Sequence, residues 1–229
     1  MTALKLKFDT GPTEGPPHET ILKDRRDLLR CMEQSPSSIY IRIPRTGSTS
    51  ISNMLRNDNA WPHFYAKLIK DLIGEEEYSR RVVFASVRNP WDRLVSWYMF
   101  QLHDHRADPE QSRAYRELGF KGWIMEGCPH RGWSPHHHAH QPEDPISQLS
   151  FILDENGKDI VDHIVRLESA EQDFEVIREK LGLTRTSLPR MNVSGRRQFK
   201  DYRKYYDWES KDKARQLYGD DAKYFGYEF

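Results

Sequence analysis

Apolar residues along this chain fall into short dense runs that alternate with stretches spaced for a helix. The run at 38–43, SIYIRI, is dominated by β-branched and aromatic side chains and predicts a strand. Ile51, Met54 and Leu55 then return at helical spacing, and Phe64, Leu68, Ile69, Leu72 and Ile73 form a second helical stripe. Residues 82–87, VVFASV, are apolar almost without interruption, as a strand buried on both faces should be. Asn89 is a good helix cap, and Pro90 suits the first helical position after it. Between 101 and 145 the periodicity weakens and His, Gly, Pro and Arg accumulate, which predicts a loop-rich insertion. Beyond it, Asn156-Gly157 predicts a hairpin turn whose second arm runs into a strand near 163–167. Ser169 and Gln172 have the spacing of a capping box opening a helix that Gly182 ends, and a last helix is expected near 209–217. Residues 1–36 read as a Gly/Pro-rich arm and a leading helix, and 37–229 as a single domain. Strands alternating with helices imply an α/β fold: an open, mostly parallel sheet flanked by helices.

Composition narrows the function classes. The 229 residues carry 35 basic and 35 acidic side chains, so no global field argues for a nucleic-acid polymer or an anionic membrane as partner. Six Trp, eleven Tyr and ten Phe fill a core despite a hydrophobic content of 37%. No apolar stretch approaches the roughly 20 residues that span a bilayer. The amino terminus lacks a secretory hydrophobic segment, and two cysteines, Cys31 and Cys128, make no disulfide framework. A reduced, cytoplasmic protein is expected.

Two stretches carry chemistry. The first strand breaks into Pro44, Arg45, Thr46, Gly47, Ser48, Thr49 and Ser50 before a helix resumes. A strand, a tight Gly/Ser/Thr turn and a helix start bring unpaired N–H groups together, which suits an anion. Ser and Thr are also favoured as plain helix caps, so this stretch alone leaves both readings open. The ATP-binding pattern G-x-x-x-x-G-K-[ST] is absent, because the cation here precedes the glycine. In the second stretch, SVRNPWDRLVSWY, Arg88 lies at a strand end and Ser96 about two turns up the next helix, with Arg93 on a related face. An arginine there faces the region where open α/β sheets bind ligands, and its planar fork suits phosphate. A solvated Asp92–Arg93 pair is the plain alternative. Two anion sites on neighbouring strand ends suggest a nucleotide with phosphates at both its 5′ and 3′ positions.

With these residues in view, the chain resembles the PAPS-dependent sulfotransferases, especially the carbohydrate sulfotransferase branch and its microbial relatives. IPRTGSTSI is similar to their 5′-phosphosulfate loop and VRNPWDRLVSWY to their 3′-phosphate motif. The His63 segment, DHIVRLESAEQDFEVI, LPRMNVS and the ending YFGYEF extend the resemblance from about residue 37 onward. It implies a P-loop-like sheet and transfer of a sulfuryl group from PAPS (3′-phosphoadenosine 5′-phosphosulfate) to a hydroxyl or amine, releasing PAP. The acceptor would be a carbohydrate or another small molecule, chosen by the insertion at 101–145. Arg45 and the backbone of Thr46, Gly47, Ser48, Thr49 and Ser50 would hold the 5′-phosphosulfate. Arg88 and Ser96 would hold the 3′-phosphate, with Arg196 as a further candidate. His63 is the expected general base, and His103 and His105 are alternatives. The chain departs from the family in carrying Arg45 where lysine is usual. No metal is required: His136, His137, His138 and His140 with the single Cys128 lack closed zinc spacing and suit acceptor binding or a solvated loop better. Two other readings are a nucleotide kinase-like P-loop enzyme and a non-catalytic nucleotide-binding relative.

Overall fold

The computed structural model describes residues 18–55, 63–103, 109–129, 146–184 and 197–229, with the backbone alone for 18–25. Helix α1 (His18–Gln34) leads into strand β1 (Ser38–Ile41), which a tight loop joins to α2 (Ser48–Met54). Helices α3 (Ala66–Ile73) and α4 (Glu75–Ser79) precede β2 (Val82–Val87) and the long α5 (Pro90–His103). Then follow α6 (Pro109–Met125), β3 (His163–Arg166), α7 (Ala170–Lys180) and α8 (Trp208–Phe225). Among the described residues the sheet has three strands, all parallel, in the order β1-β2-β3. Ser38 pairs with Val82 and Phe84 with His163. The α/β architecture expected from the alternating pattern is the one observed.

Burial explains the composition of the strands. All of β1 and Val83–Val87 of β2 are buried, because helices cover both faces of the sheet. Tyr40 stacks on Phe84 at 5.0 Å, and Phe174 of α7 meets Phe84 edge-on at 5.9 Å. A second apolar cluster joins α5, α6 and α8 through Trp91, Leu94, Tyr98, Tyr115, Trp123 and Tyr218. The ends of β1 and β2 and the start of α5 lie between these clusters, so the candidate residues stand on well-packed elements.

Several expectations need correction. The stretch with weak periodicity contains α6, whose Gly119 (φ 69, ψ 171) kinks the helix and shifts the phase of its buried positions. Residues 130–145, with the histidine cluster, lie outside the described residues, as does His105. Asn156-Gly157 makes its turn, but the arms pair only at Leu153 and Asp159. Ser169 precedes α7 without a side-chain cap bond, because a 3-10 turn at Leu167–Ser169 leaves its backbone out of the extended shape that capping needs. Gly182 (φ 61) does end that helix, with Leu183 N–H bonded to Arg178 C=O and Gly182 N–H to Glu179 C=O. The capping box belongs to α8, where Asp207 and Ser210 exchange bonds, and α8 runs through a kink at Tyr218 to Phe225.

Candidate functional site

The loop after β1 is tied down from inside. Thr46 Oγ1 donates to Ile43 C=O at 2.8 Å and lies 2.7 Å from Ser86 Oγ, which is 2.6 Å from Tyr40 Oη. Since Thr46 spends its proton on the carbonyl, Ser86 donates to Thr46 and Tyr40 to Ser86. Burial pushes the Tyr40 phenol well above its ordinary value. The Thr46 hydroxyl is therefore a structural tie between the two strands. Gly47 has φ 76, and a Cβ there would come 2.4 Å from Leu167 Cδ1 at the end of β3. A side chain at 47 would have to displace the tip of Leu167 as well as adopt this dihedral. Arg42 Nε donates to Ser48 Oγ at 3.2 Å, bracing the loop from the other side.

Arg45 is the unusual residue. Its backbone is left-handed at φ 68, which for a non-glycine residue costs about 1–3 kcal/mol and persists only where the surroundings hold it. Its Nε and Nη2 donate to Ser96 Oγ on α5 at 3.2 and 3.1 Å, and the guanidinium lies 4.7 Å from the Phe100 ring centre. The loop after β1 and the second motif are thereby joined through two residues chosen from sequence.

Arg88 leaves the end of β2 and meets Asp92 with both Nε (2.7 Å) and Nη2, while Nη1 reaches Arg45 C=O at 3.3 Å. Burial pushes the Arg88 guanidinium down from its ordinary value, and the Asp92 charge opposes this. Asp92 also takes Nη1 of Arg197, whose Nη2 donates to Asp92 C=O at 3.0 Å. The Asp92–Arg93 surface pair does not form. Arg93 is 2% exposed and donates to backbone carbonyls instead. Gln148 exchanges two bonds with the backbone of Arg88, accepting from N–H and donating to C=O, each at 2.9 Å. Asn89 caps α5, its Oδ1 taking the N–H of Trp91 and Asp92. Arg45, Arg88 and Arg197 thus gather around Ser96 and one shared carboxylate, an arrangement with surplus positive charge that fits a phosphate-bearing ligand.

His63 precedes α3 with Nδ1 2.6 Å from Arg42 C=O. A carbonyl only accepts, so Nδ1 carries the hydrogen and the neutral ring keeps its lone pair on Nε2, the tautomer a general base needs. His103 is exposed at the last turn of α5. Arg196 lies outside the described residues; its neighbour Arg197 enters the cluster. Sequence reasoning also passed over Arg42, Phe100 and Gln148. A cavity of about 390 Å³ between Ser35–Ser38 and Leu181–Thr184 lies at the amino end of β1, away from this site. Among the described residues no group of three or more His, Cys, Asp or Glu could hold a metal ion, and no helix is long and apolar enough to cross a membrane.

An uncharacterized protein of Archaeoglobus fulgidus is 27% identical over 129 residues, 56% of this chain and 91% of that protein. No solved structure matches. The sequence model of the Sulfotransferase family matches residues 31–228, a span that takes in the loop after β1, all of α5 and the segment ending α8. The chain belongs to the sulfotransferase family.

Proposed function

We propose that this sulfotransferase takes its sulfuryl group from PAPS and passes it to a hydroxyl or amine of a carbohydrate or other small-molecule acceptor. The observation that carries the reading is the meeting of Arg45 from the first motif with Ser96 from the second, beside Arg88. A nucleotide with phosphates at its 5′ and 3′ positions would lay one on each motif. Arg88, Ser96 and Arg197 receive the 3′-phosphate, Asp92 holding the two arginine forks in place until it arrives. The backbone of Thr46 to Ser50 receives the 5′-phosphosulfate.

Transfer breaks the bond between sulfur and the bridging oxygen of the donor and forms a new one between sulfur and the acceptor oxygen or nitrogen. The electron pair of the broken bond stays on the 5′-phosphate of PAP. Arg45 stabilises that growing charge, an interaction stronger in the transition state than before it. The proton released by the acceptor goes to Nε2 of His63. Histidine suits the task because its ordinary pKa lies near neutrality.

The test is thermal. PAP should raise the melting temperature more than ATP does, since a ligand that binds only the folded chain stabilises it by mass action. Arg88→Ala should remove most of the PAP shift. Equal stabilisation by PAP and ATP, unchanged in Arg88→Ala, would overturn the assignment of the 3′-phosphate site.

A further inference from the structure

The two peptide groups that flank Arg45 are both held by arginines of the second motif. Arg93 Nε donates to Pro44 C=O at 2.8 Å, and Arg88 Nη1 donates to Arg45 C=O at 3.3 Å. Between them Arg45 stays left-handed, and its own fork returns to Ser96 on the helix that carries Arg93. The guanidinium of Arg93 lies 5.3 Å from the Trp97 ring centre, and its Nη1 takes Ile146 C=O, where the chain re-enters after 130–145.

A guanidinium that is 2% exposed calls for a reason, because burying a charge is unfavourable unless it is well bonded. A methionine or leucine could fill the same volume. What neither can do is take two carbonyls at fixed angles, which a rigid planar fork does. The direction of Pro44 C=O fixes the peptide plane between residues 44 and 45, and that plane determines φ of Arg45. Turning it would release the left-handed backbone and swing the Arg45 side chain away from Ser96.

We propose that Arg93 is a positioning residue for sulfuryl transfer: by holding Pro44 C=O it keeps the backbone of Arg45 left-handed and so keeps the Arg45 fork at Ser96, between the two motifs that take the donor. The proposal rests on the reading of Arg45 given under the proposed function. Because the same fork holds Ile146, it also keeps the donor loop at a set separation from the segment that follows 130–145.

The experiment follows single-turnover breakdown of PAPS to PAP, with water and with 4-nitrophenol as probe acceptor, alongside PAP affinity by titration. Arg93→Lys keeps the charge but replaces the rigid fork with a single rotatable ammonium that does not hold the two carbonyls at fixed angles. Its turnover should fall by about 10², the scale of a small misplacement of a reacting group, while PAP affinity changes far less because Arg88 and Ser96 are untouched. In an Arg45→Ala background, Arg93→Lys should bring no further loss, since the residue it positions is already gone. Normal turnover by Arg93→Lys overturns the proposal and leaves the reading of Arg45 intact. An equal loss with and without Arg45 also overturns it, because Arg93 then acts elsewhere. Wild-type turnover by Arg45→Ala alone overturns the reading of Arg45 itself. Should Arg93→Lys not fold, wild-type protein labelled with ¹⁵N-arginine supplies the readout. The Arg93 Nε–H should exchange slowly with solvent and couple to the Pro44 carbonyl carbon, and rapid exchange without coupling sinks the idea.

Discussion

At the scale of single residues, Gly47 meets two separate demands. Its φ of 76 disfavours any side chain, and the space where a Cβ would stand is taken by Leu167. Gly47→Ala should therefore lower stability by about 1–3 kcal/mol, the range for a strained backbone, and disturb the loop proposed to hold the donor. Denaturant melts of Gly47→Ala and of the double variant with Leu167→Ala separate the two demands. The second change relieves the contact but not the dihedral, so only part of the loss should return. Full recovery would mean that the contact alone mattered. His63 gives the other residue-scale prediction. Its Nδ1–H is committed to Arg42 C=O, so His63→Ala removes a ring already held in the basic tautomer. Turnover should drop by about 10² to 10⁴, the usual effect of losing a general base, with PAP affinity near wild type. A low-pKa phenol should partly rescue the variant because it gives up its proton more readily. If His63→Ala turns over normally while His103→Ala or His105→Ala is crippled, the base is one of those two instead.

At the scale of elements, β3 begins with a histidine that sets an acid limb on stability. The ring of His163 is disfavoured as a cation, first by burial and then by the charge of Lys180, with Asp162 opposing. Its Nε2 has no hydrogen-bond partner among the described residues. The folded pKa therefore lies below the ordinary 6.5, and the unfolded chain binds the proton first. Stability from this group is complete above pH 6.5 and declines as pH falls from there through the depressed folded value. Melting temperature against pH should show this decline in the wild type and a flatter limb in His163→Leu. An unchanged limb would place the acid sensitivity elsewhere. Strands β1 and β2 and helix α5 were legible in the sequence for a simple reason. A strand covered on both faces has to be apolar throughout, and Asn89-Pro90 marks a helix start by local chemistry. Helix α6 was not legible, because the kink at Gly119 breaks the phase that a periodicity count relies on. The last helix was read short for a related reason, its kink at Tyr218. Gln148 and Arg197 escaped because their partners stand 60 and 105 residues away, and no spacing rule reports a contact of that range. The two motifs themselves could be read, since each concentrates its residues within one strand-to-helix connection.

At the scale of the whole molecule, the site stands where the sheet cluster and the α5–α6–α8 cluster meet, and polar side chains cross that boundary. Asp221 of α8 accepts the N–H groups of Gln148 and Leu149 and the hydroxyl of Ser147, and Gln148 in turn holds the backbone of Arg88. Burial raises the Asp221 carboxyl pKa, and these bonds oppose the rise. Glu168 at the end of β3 takes Asn89 N–H with one oxygen and Tyr227 Oη with the other, bringing the segment after α8 to the start of α5. The arginine at position 45 can be seen in the same frame. Its fork reaches Ser96 while Arg93 of α5 and Arg88, just before that helix, hold the carbonyls of Pro44 and Arg45. Loop and helix are therefore a single cassette in the engineering sense. Grafting a lysine-bearing loop from a relative would bring a shorter reach to a helix fitted for a longer one. Grafting the helix alone would leave the loop's carbonyls ungripped. Variation that improves this site has to arrive on both segments together, although some 40 residues of chain lie between them.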